Sequence, residues 1–199
     1  MTARSATSLC HVAALGLTGL AITMNAHAAS ERILFDFRVS TNSSAWQIVN
    51  DDVMGGVSTS SFHILTNGGA VFSGVVSLEN NGGFASVRSS PARHDLTGSG
   101  CFVIRLRGDG RRYKFTARTE TGFDAPLYQC AFETKRGEWE EHQLAFKDFV
   151  PTFRGRILAG VPPLEPGKIT SVGLLISERQ SGPFQLEVAW IKAAPLSGE

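Results

Sequence analysis

Short runs of alternating apolar and polar residues are the feature that most restricts the fold of this chain. Gly, Asn, Asp and Pro residues bound these runs, and no stretch shows the amphipathic period of a surface helix. Period-two alternation is typical of strands with one buried face. A series of many short strands is typical of a β-sandwich or barrel. The sequence therefore predicts an all-β fold.

The stretch Cys101–Arg118 predicts a hairpin from its turn chemistry. A two-residue turn at Asp109-Gly110 suits the positive φ angles that such turns need. The facing pairs would then be Leu106 with Tyr113, Ile104 with Phe115, and Phe102 with Ala117. One face of this hairpin is wholly apolar, and a one-residue slip would destroy the match.

A second hairpin is predicted for Val71–Arg88. A turn at Asn81-Gly82 would place Leu78 opposite Ala85 and Val76 opposite Val87, again on one apolar face. Further strands are predicted at Ile33–Val39, Pro126–Thr134, Trp139–Phe146, Ile169–Ser177 and Phe184–Ile191. In the last of these, Phe184, Leu186, Val188 and Trp190 are predicted to share a face.

Residues 1–28 have the order of a secretory signal peptide. Arg4 precedes an apolar run from Leu9 to Met24, and Ala26-His27-Ala28 supplies a small-x-small cleavage site. We expect a periplasmic or secreted protein whose residues 29–199 form a single domain. An uncleaved anchor and a mitochondrial presequence remain alternatives, although the run is short of the ~20 residues that a membrane span needs.

Charge and motifs exclude several classes of function. Without Arg4 the remaining chain has 18 basic and 18 acidic residues, whereas a general nucleic-acid binder shows a basic excess. Neither a G-x-S-x-G nor an S-x-x-K nucleophile motif occurs, and no Cys-x-x-Cys or His-x-x-x-His spacing indicates zinc. We predict no catalytic residue, no metal and no cofactor.

The two cysteines after residue 28 are predicted to be free thiols. Cys101 falls on the face opposite Phe102, whereas Cys130 falls on the apolar face of its strand. Two side chains that point to opposite sides of one sheet cannot converge to form a disulfide.

A basic stripe follows from the first predicted hairpin. The register places Arg107 opposite Arg112, with Arg105 on the same outward face. Like charges directly across a sheet are destabilising. Three interpretations stay open: acids on neighbouring elements, such as Glu133 or Glu141, neutralise the stripe; the stripe binds an anionic partner or ligand; or the charges are simply solvated.

The stretch Trp46–Ser58 interrupts two strand segments with an acidic pair and a glycine pair. Asp51-Asp52 suits a turn, and Gly55-Gly56 permits backbone conformations that other residues avoid. Val53-Met54 is expected to tuck under the sandwich as a plug. Alternatively, the carboxylates face outward toward a cation or a hydrogen-bond donor; two aspartates alone are a weak calcium signal.

Phe84 is predicted on the polar face of the second hairpin. Either a loop covers this ring, or it contacts a partner or a sugar.

Four ordered motifs resemble one known family: WQIVNDDVMGGVSTSSF, FSGVVSLENNGGFASVR, RLRGDGRRYKFTART and FKDFVPTFRGR. Together they are similar to the CIA30 family, named for complex I intermediate-associated protein 30, from Phe35 to about Ile191. The resemblance implies a galactose-binding-domain-like jelly-roll sandwich without enzymatic activity, whose mitochondrial relatives are assembly chaperones for respiratory complex I. The motif segments it marks here are Asn50–Ser58, Asn80–Arg88 and Gly108–Tyr113.

The leading hypothesis is therefore a non-enzymatic module that binds a protein partner as an assembly factor. The alternatives are a carbohydrate-binding module of the periplasm or cell envelope, which would use an aromatic such as Phe84 or Trp46, and a hydrolase that uses paired carboxylates. The candidate binding residues are Asn50, Asp51, Asp52, Met54, Gly55, Gly56, Asn80, Phe84, Arg88, Arg105, Arg107, Asp109 and Arg112.

Overall fold

Two antiparallel β-sheets build the protein, as seen in a computed structural model that describes residues 1, 31–39, 45–122 and 124–196. The predicted signal peptide lies outside the described residues. The strands are β1 (Arg32–Asp36), β2 (Trp46–Ile48), β3 (Thr59–Ile64), β4 (Ala70–Val76), β5 (Ala85–Ser89), β6 (Cys101–Arg107), β7 (Arg112–Arg118), β8 (Leu127–Glu133), β9 (Trp139–Ala145), β10 (Val150–Phe153), β11 (Arg156–Ile157), β12 (Ser171–Ile176) and β13 (Gly182–Ala194).

The first sheet has six strands and the second has seven. In the first sheet the order is β3-β4-β13-β6-β9, and β1 also pairs with β13; in the second it is β11-β10-β8-β7-β12-β5-β2. Short 3-10 turns occur at Asp51–Met54, Glu79–Asn81, Phe146–Asp148 and Pro166–Lys168. None of the helical segments in the described ranges is long and apolar enough to cross a membrane.

The core lies between the two sheets, and the predicted alternation supplies it. Phe102, Ile104 and Leu106 from β6 are fully buried, as are the apolar residues of β7 that face them. The rings of Phe102 and Phe115 lie 4.8 Å apart between centroids. The all-β prediction is confirmed, since two layers of strands enclose one apolar interior.

The first predicted hairpin is wrong. β6 lies between β13 and β9 in the first sheet, whereas β7 lies between β8 and β12 in the second. The chain therefore crosses between the sheets at Gly108–Arg111. Asp109 fixes this crossover, because its carboxylate accepts hydrogen bonds from the Arg111 and Gln185 amides and from the Tyr113 hydroxyl. Two strands with apolar faces in the same phase can pair side by side in a hairpin, but they can also face each other across a core from two different sheets.

The second predicted hairpin fails in the same way. β4 pairs with β3 and β13, whereas β5 pairs with β12 and β2. Asn80 and Asn81 take φ angles of 53° and 60° in the crossover between them. Val76 and Val87 are both buried, so the faces were assigned correctly and only the pairing was wrong.

The other predicted strands are present, with one exception to the predicted faces. A β-bulge between Val188 and Trp190 shifts the register of β13 against β6. Trp190 consequently packs with Cys101 and Val103 on the outer side of the first sheet, not in the main core. A bulge adds one residue to a strand and reverses the alternation beyond it.

Both cysteines are free, as predicted, but for a different geometric reason. Cys101 faces the outer side of the first sheet, and Cys130 faces the core from the second. The two residues thus lie in different sheets rather than on opposite sides of one.

Candidate functional site

Asp51 is the centre of the loop that follows β2. The residue is fully buried, and its carboxylate accepts hydrogen bonds from the Ser58 amide (2.9 Å), the Ser58 hydroxyl (2.5 Å), the Gly83 amide (2.7 Å) and the Phe84 amide (3.2 Å). One side chain therefore ties the loop 50–58 to the β4–β5 crossover.

These hydrogen bonds decide the ionisation of the buried carboxyl group. Burial raises the pKa of Asp51, but the donors from Ser58, Gly83 and Phe84 more than offset that effect and hold the pKa below its usual value. Hydrogen bonds to the charged form favour it. Asp51 is consequently an ionised structural anchor at neutral pH.

Two glycines make room for this anchor. A Cβ on Gly56 would lie 2.4 Å from Cγ of Asp51, and a Cβ on Gly82 would lie 2.6 Å from Oδ2. Gly55 adds the turn itself, with φ of 90°. Within the pair Gly55-Gly56, Gly55 is thus needed for its positive φ and Gly56 for the close approach of the Asp51 carboxylate.

We expect Gly56→Ala to destabilise the fold by about 1–3 kcal/mol, because the new methyl group must displace the Asp51 carboxylate. The matched control is Gly122→Ala, where a Cβ has no neighbour within 4 Å. Urea unfolding of both variants measures the difference. Equal midpoints for the two variants would contradict the proposed crowding.

The same loop exposes apolar side chains. Val53, Met54 and Val57 are 63%, 58% and 46% exposed. The prediction that Val53-Met54 is a plug under the sandwich is therefore wrong: the loop buries its acid and exposes its apolar residues. We call Val53, Met54 and Val57 the apolar loop surface.

The remaining predicted loop residues support this arrangement or lie at its rim. Asn50 is buried and accepts a hydrogen bond from the Ser60 hydroxyl (2.7 Å), and the Asn80 amide donates to the Gly55 carbonyl (3.2 Å). Asp52 is exposed. Paired carboxylates facing outward are thus excluded, because Asp51 faces inward. Among the described residues, no group of three His, Cys, Asp or Glu side chains is placed to hold a metal ion.

The basic stripe does not exist as one surface. Arg105 and Arg107 lie on the outer face of the first sheet, and Arg112 lies on that of the second. Each has an acidic partner. The pairs are Arg105–Glu141 (2.9 Å), Arg107–Glu187 (2.6 Å), Arg112–Glu133 (3.5 Å) and Arg112–Glu178 (3.5 Å). Neutralisation by neighbouring acids, one of the three interpretations, is confirmed for Arg105, Arg107 and Arg112.

A polar cavity of about 380 Å³ adjoins two of the predicted residues. It is lined by Arg107, Gly108, Asp109, Arg136, Gly137 and Gln185. The Arg107 guanidinium also lies 5.2 Å from the centre of the Trp139 ring, a cation–π contact. The acid in its lining, Asp109, already accepts hydrogen bonds from the Arg111 and Gln185 backbone amides and from the Tyr113 hydroxyl.

The aromatic residues considered for sugar binding are not exposed platforms. Trp46 is only 8% exposed, and its ring packs 4.9 Å from those of Phe35 and Phe62. Phe84 is half-buried, and its amide is bound to Asp51. Arg88 lies on the outer face of β5, opposite Gln47 of β2.

Only part of the predicted candidate list lies together in the structure. Asn80 and Phe84 contact the loop of Asn50–Gly56, whereas Arg105, Arg107, Asp109 and Arg112 lie elsewhere. The candidate list did not include Ser58, Gly82 and Gly83, which complete the surroundings of Asp51, although the marked motif segments contain them. The glycine pair Gly82-Gly83, directly after Asn81, was the available signal, because close backbone approach needs such residues.

The fold defines a β-sandwich of the kind found in carbohydrate-binding modules. Two structures of the family 11 module from Clostridium thermocellum, one of them in complex with a β-1,3-1,4-mixed-linked tetrasaccharide, have TM-scores of 0.63 to this chain. They are 16% and 17% identical to it, cover 84% of it and are themselves covered over 96% and 97% of their length. At this identity the likeness concerns the fold alone.

The chain belongs to the Complex I intermediate-associated protein 30 (CIA30) family, whose model matches residues 35–188. It is 25% identical to the mitochondrial complex I intermediate-associated protein 30 of Drosophila melanogaster and 27% identical to that of Mus musculus. Each alignment covers 80% of this chain, but only 61% and 55% of the relative. The chain thus spans little more than half the length of these curated relatives.

The names of these relatives place them in mitochondria. That location supports the mitochondrial alternative; no comparison supports the periplasmic or secreted location expected from residues 1–28.

Proposed function

We propose that this chain is a non-enzymatic protein-binding module with an assembly-factor role, and that it docks its partner through the apolar loop surface. Relatives named for an association with complex I intermediates support the role. An intermediate of that complex is therefore the first partner to test. Residues 29–199 as a single domain, and cleavage after residue 28, remain predictions.

The presentation of the loop is the observation that carries this proposal. Three apolar side chains are exposed on a loop that Asp51 holds from beneath with four hydrogen bonds. Apolar residues held exposed at one place are typical of protein interaction sites. A few well-placed anchors of this type supply most of the binding energy of an interface.

Met54→Asp is expected to reduce partner recovery at least about tenfold, because a charge would have to be buried in an apolar interface. The measurement is quantitative recovery of complex I subunits with the tagged chain in its own organism. The melting temperature should stay unchanged, since Met54 is already exposed.

Ile157→Asp is the matched control. Ile157 is 74% exposed and lies in β11, at the edge of the second sheet opposite to β2. Equal losses in both variants, or none in Met54→Asp, would sink the assignment of the loop. Recovery of no complex I subunit by the wild-type chain would sink the assignment of the partner.

A further inference from the structure

The outer face of the second sheet carries a row of polar residues, none of which belongs to the apolar loop surface. The strand registers align one residue from each of five neighbouring strands across this face. In sheet order they are Gln129, Thr116, Gly173, Arg88 and Gln47. Their neighbours in sequence on β5, β7, β8 and β12 belong to the core, so these residues point away from it.

The middle of this face is recessed. β12 is buried on both of its sides: Val172 and Leu174 face the core, whereas Ser171 and Leu175 face outward and are still buried. Gly173 between them has no side chain. Longer side chains on the flanking strands β7 and β5 therefore rise above β12, and Gly173 forms the floor between them.

Two arginines flank this floor without an acidic partner. Arg118 lies on β7, opposite Ser171, and Arg88 lies on β5, opposite Gly173. In the part of the chain that the structure describes, neither forms an ion pair, and the hydrogen bond found for Arg118 is one of 3.4 Å to the Ala125 carbonyl. On the same face, Arg112 and Lys114 are neutralised by Glu178.

The surroundings of Arg118 disfavour its charge. Burial lowers the pKa of Arg118, and the nearby positive charge of Arg88 lowers it further. An arginine keeps its proton in proteins, so the cost appears as lost stability rather than as neutralisation. A desolvated arginine beside a second positive charge is stabilised when an anion binds between the two.

We propose that this recess binds an acidic segment of a polypeptide partner, with an Asp or Glu carboxylate held between Arg88 and Arg118 beside Gly173. The planar guanidinium matches a carboxylate through two parallel hydrogen bonds. Gln129 and Gln47 supply amide groups in the same row, which can bond to the backbone of an extended peptide. The assignment is independent of the proposed role as an assembly factor.

Charge and composition favour a peptide over a saccharide. On the four described strands β5, β7, β8 and β12, no outward-facing residue is aromatic. Sugar rings bind against exposed aromatic faces. Two recessed arginines without an aromatic face beside them therefore suit a flexible acidic peptide better than they suit a saccharide.

The test is calorimetric titration of the full chain with an oligoglutamate peptide, with oligoglutamine of the same length as the uncharged probe. We expect oligoglutamate binding that weakens as salt rises. The double variant Arg88→Gln/Arg118→Gln should bind at least about tenfold more weakly, because each lost charged hydrogen bond costs about that much.

The matched control removes two positive charges elsewhere. Lys135 and Lys147 are exposed and lie outside the recess, and Lys135→Gln/Lys147→Gln should keep oligoglutamate affinity within about twofold of wild type. Added oligoglutamate should raise the melting temperature of the wild type and of this control, but not that of the arginine double variant.

Three results would overturn the inference. The first is no oligoglutamate binding by the wild type, and the second is equal affinity in the arginine double variant. The third is binding of inorganic sulfate or of a sulfated saccharide without binding of oligoglutamate, which would assign the recess to another source of anions. A double variant that fails to fold would be replaced by Arg88→Lys/Arg118→Lys, which keeps charge but loses the fork; undiminished binding there would also count against the inference.

Discussion

Asp51→Ala is expected to destabilise the fold by about 3–5 kcal/mol, as measured by urea unfolding. The substitution removes the acceptor for the amides of Ser58, Gly83 and Phe84, which stay buried or half-buried. A buried donor without a partner costs about 1–3 kcal/mol, and bonds to a charged group are the stronger ones. Asp52→Ala is the matched control, because the neighbouring carboxylate is exposed; its effect should stay within about 0.5 kcal/mol.

The same residue should govern stability in acid. Its pKa in the folded protein lies below the unfolded value of about 3.9. Its contribution is therefore present above the unfolded pKa and is lost as the pH falls through the folded pKa. Asp51→Asn should flatten the dependence of unfolding free energy on pH below about 4. An unchanged acid profile in this variant would show that other carboxyl groups control it.

Phe102→Ala is expected to cost about 3–5 kcal/mol, as is typical of a large aromatic residue deleted from a core. The ring is fully buried and lies within 4.9 Å, between centroids, of the rings of Phe115 and Phe146. The cavity would open in the middle of the sandwich, where strands from both sheets are too well packed to collapse into it. Equilibrium unfolding measures the loss.

A double-mutant cycle extends this prediction to the topology. Phe102 and Phe115, whose rings are tilted by 48° to each other, should show a coupling of about 0.5–1.5 kcal/mol, as contacting aromatic pairs do. Phe102 and Thr116 serve as the reference pair, because Thr116 faces away from the core. If the Phe102–Phe115 coupling were no larger than that of the reference pair, the packing of β6 against β7 across the core would be wrong.

The sequence predicted correctly which face of each strand is buried, but not which strands pair with each other. Ile104 and Phe115 were assigned correctly to an apolar interior, because alternation depends only on each strand's own residues. Their pairing was wrong because a connection of a few residues can close a hairpin or cross between sheets. What selected the crossover lies far away in sequence: Asp109 is bound by the amide of Gln185, on β13.

The loop was predicted as a feature but not in its orientation. Adjacent aspartates and glycines indicated a shaped turn, yet nothing local distinguishes Asp51 from Asp52. The distinction depends on Gly83 and Phe84, which approach from another strand connection. The arginines show the same limit, since Glu187 on β13 and Glu178 in the turn after β12 reach Arg107 and Arg112 from distant parts of the sequence.

The fixed Asp51 carboxylate has a kinetic consequence for any docking through this loop. A segment already held in one conformation loses little entropy on association, and little time is spent searching for the bound shape. Variants of the apolar loop surface should then differ chiefly in how fast the complex dissociates. Loss of the carboxylate would slow the encounter itself, because the loop would first have to find the competent shape.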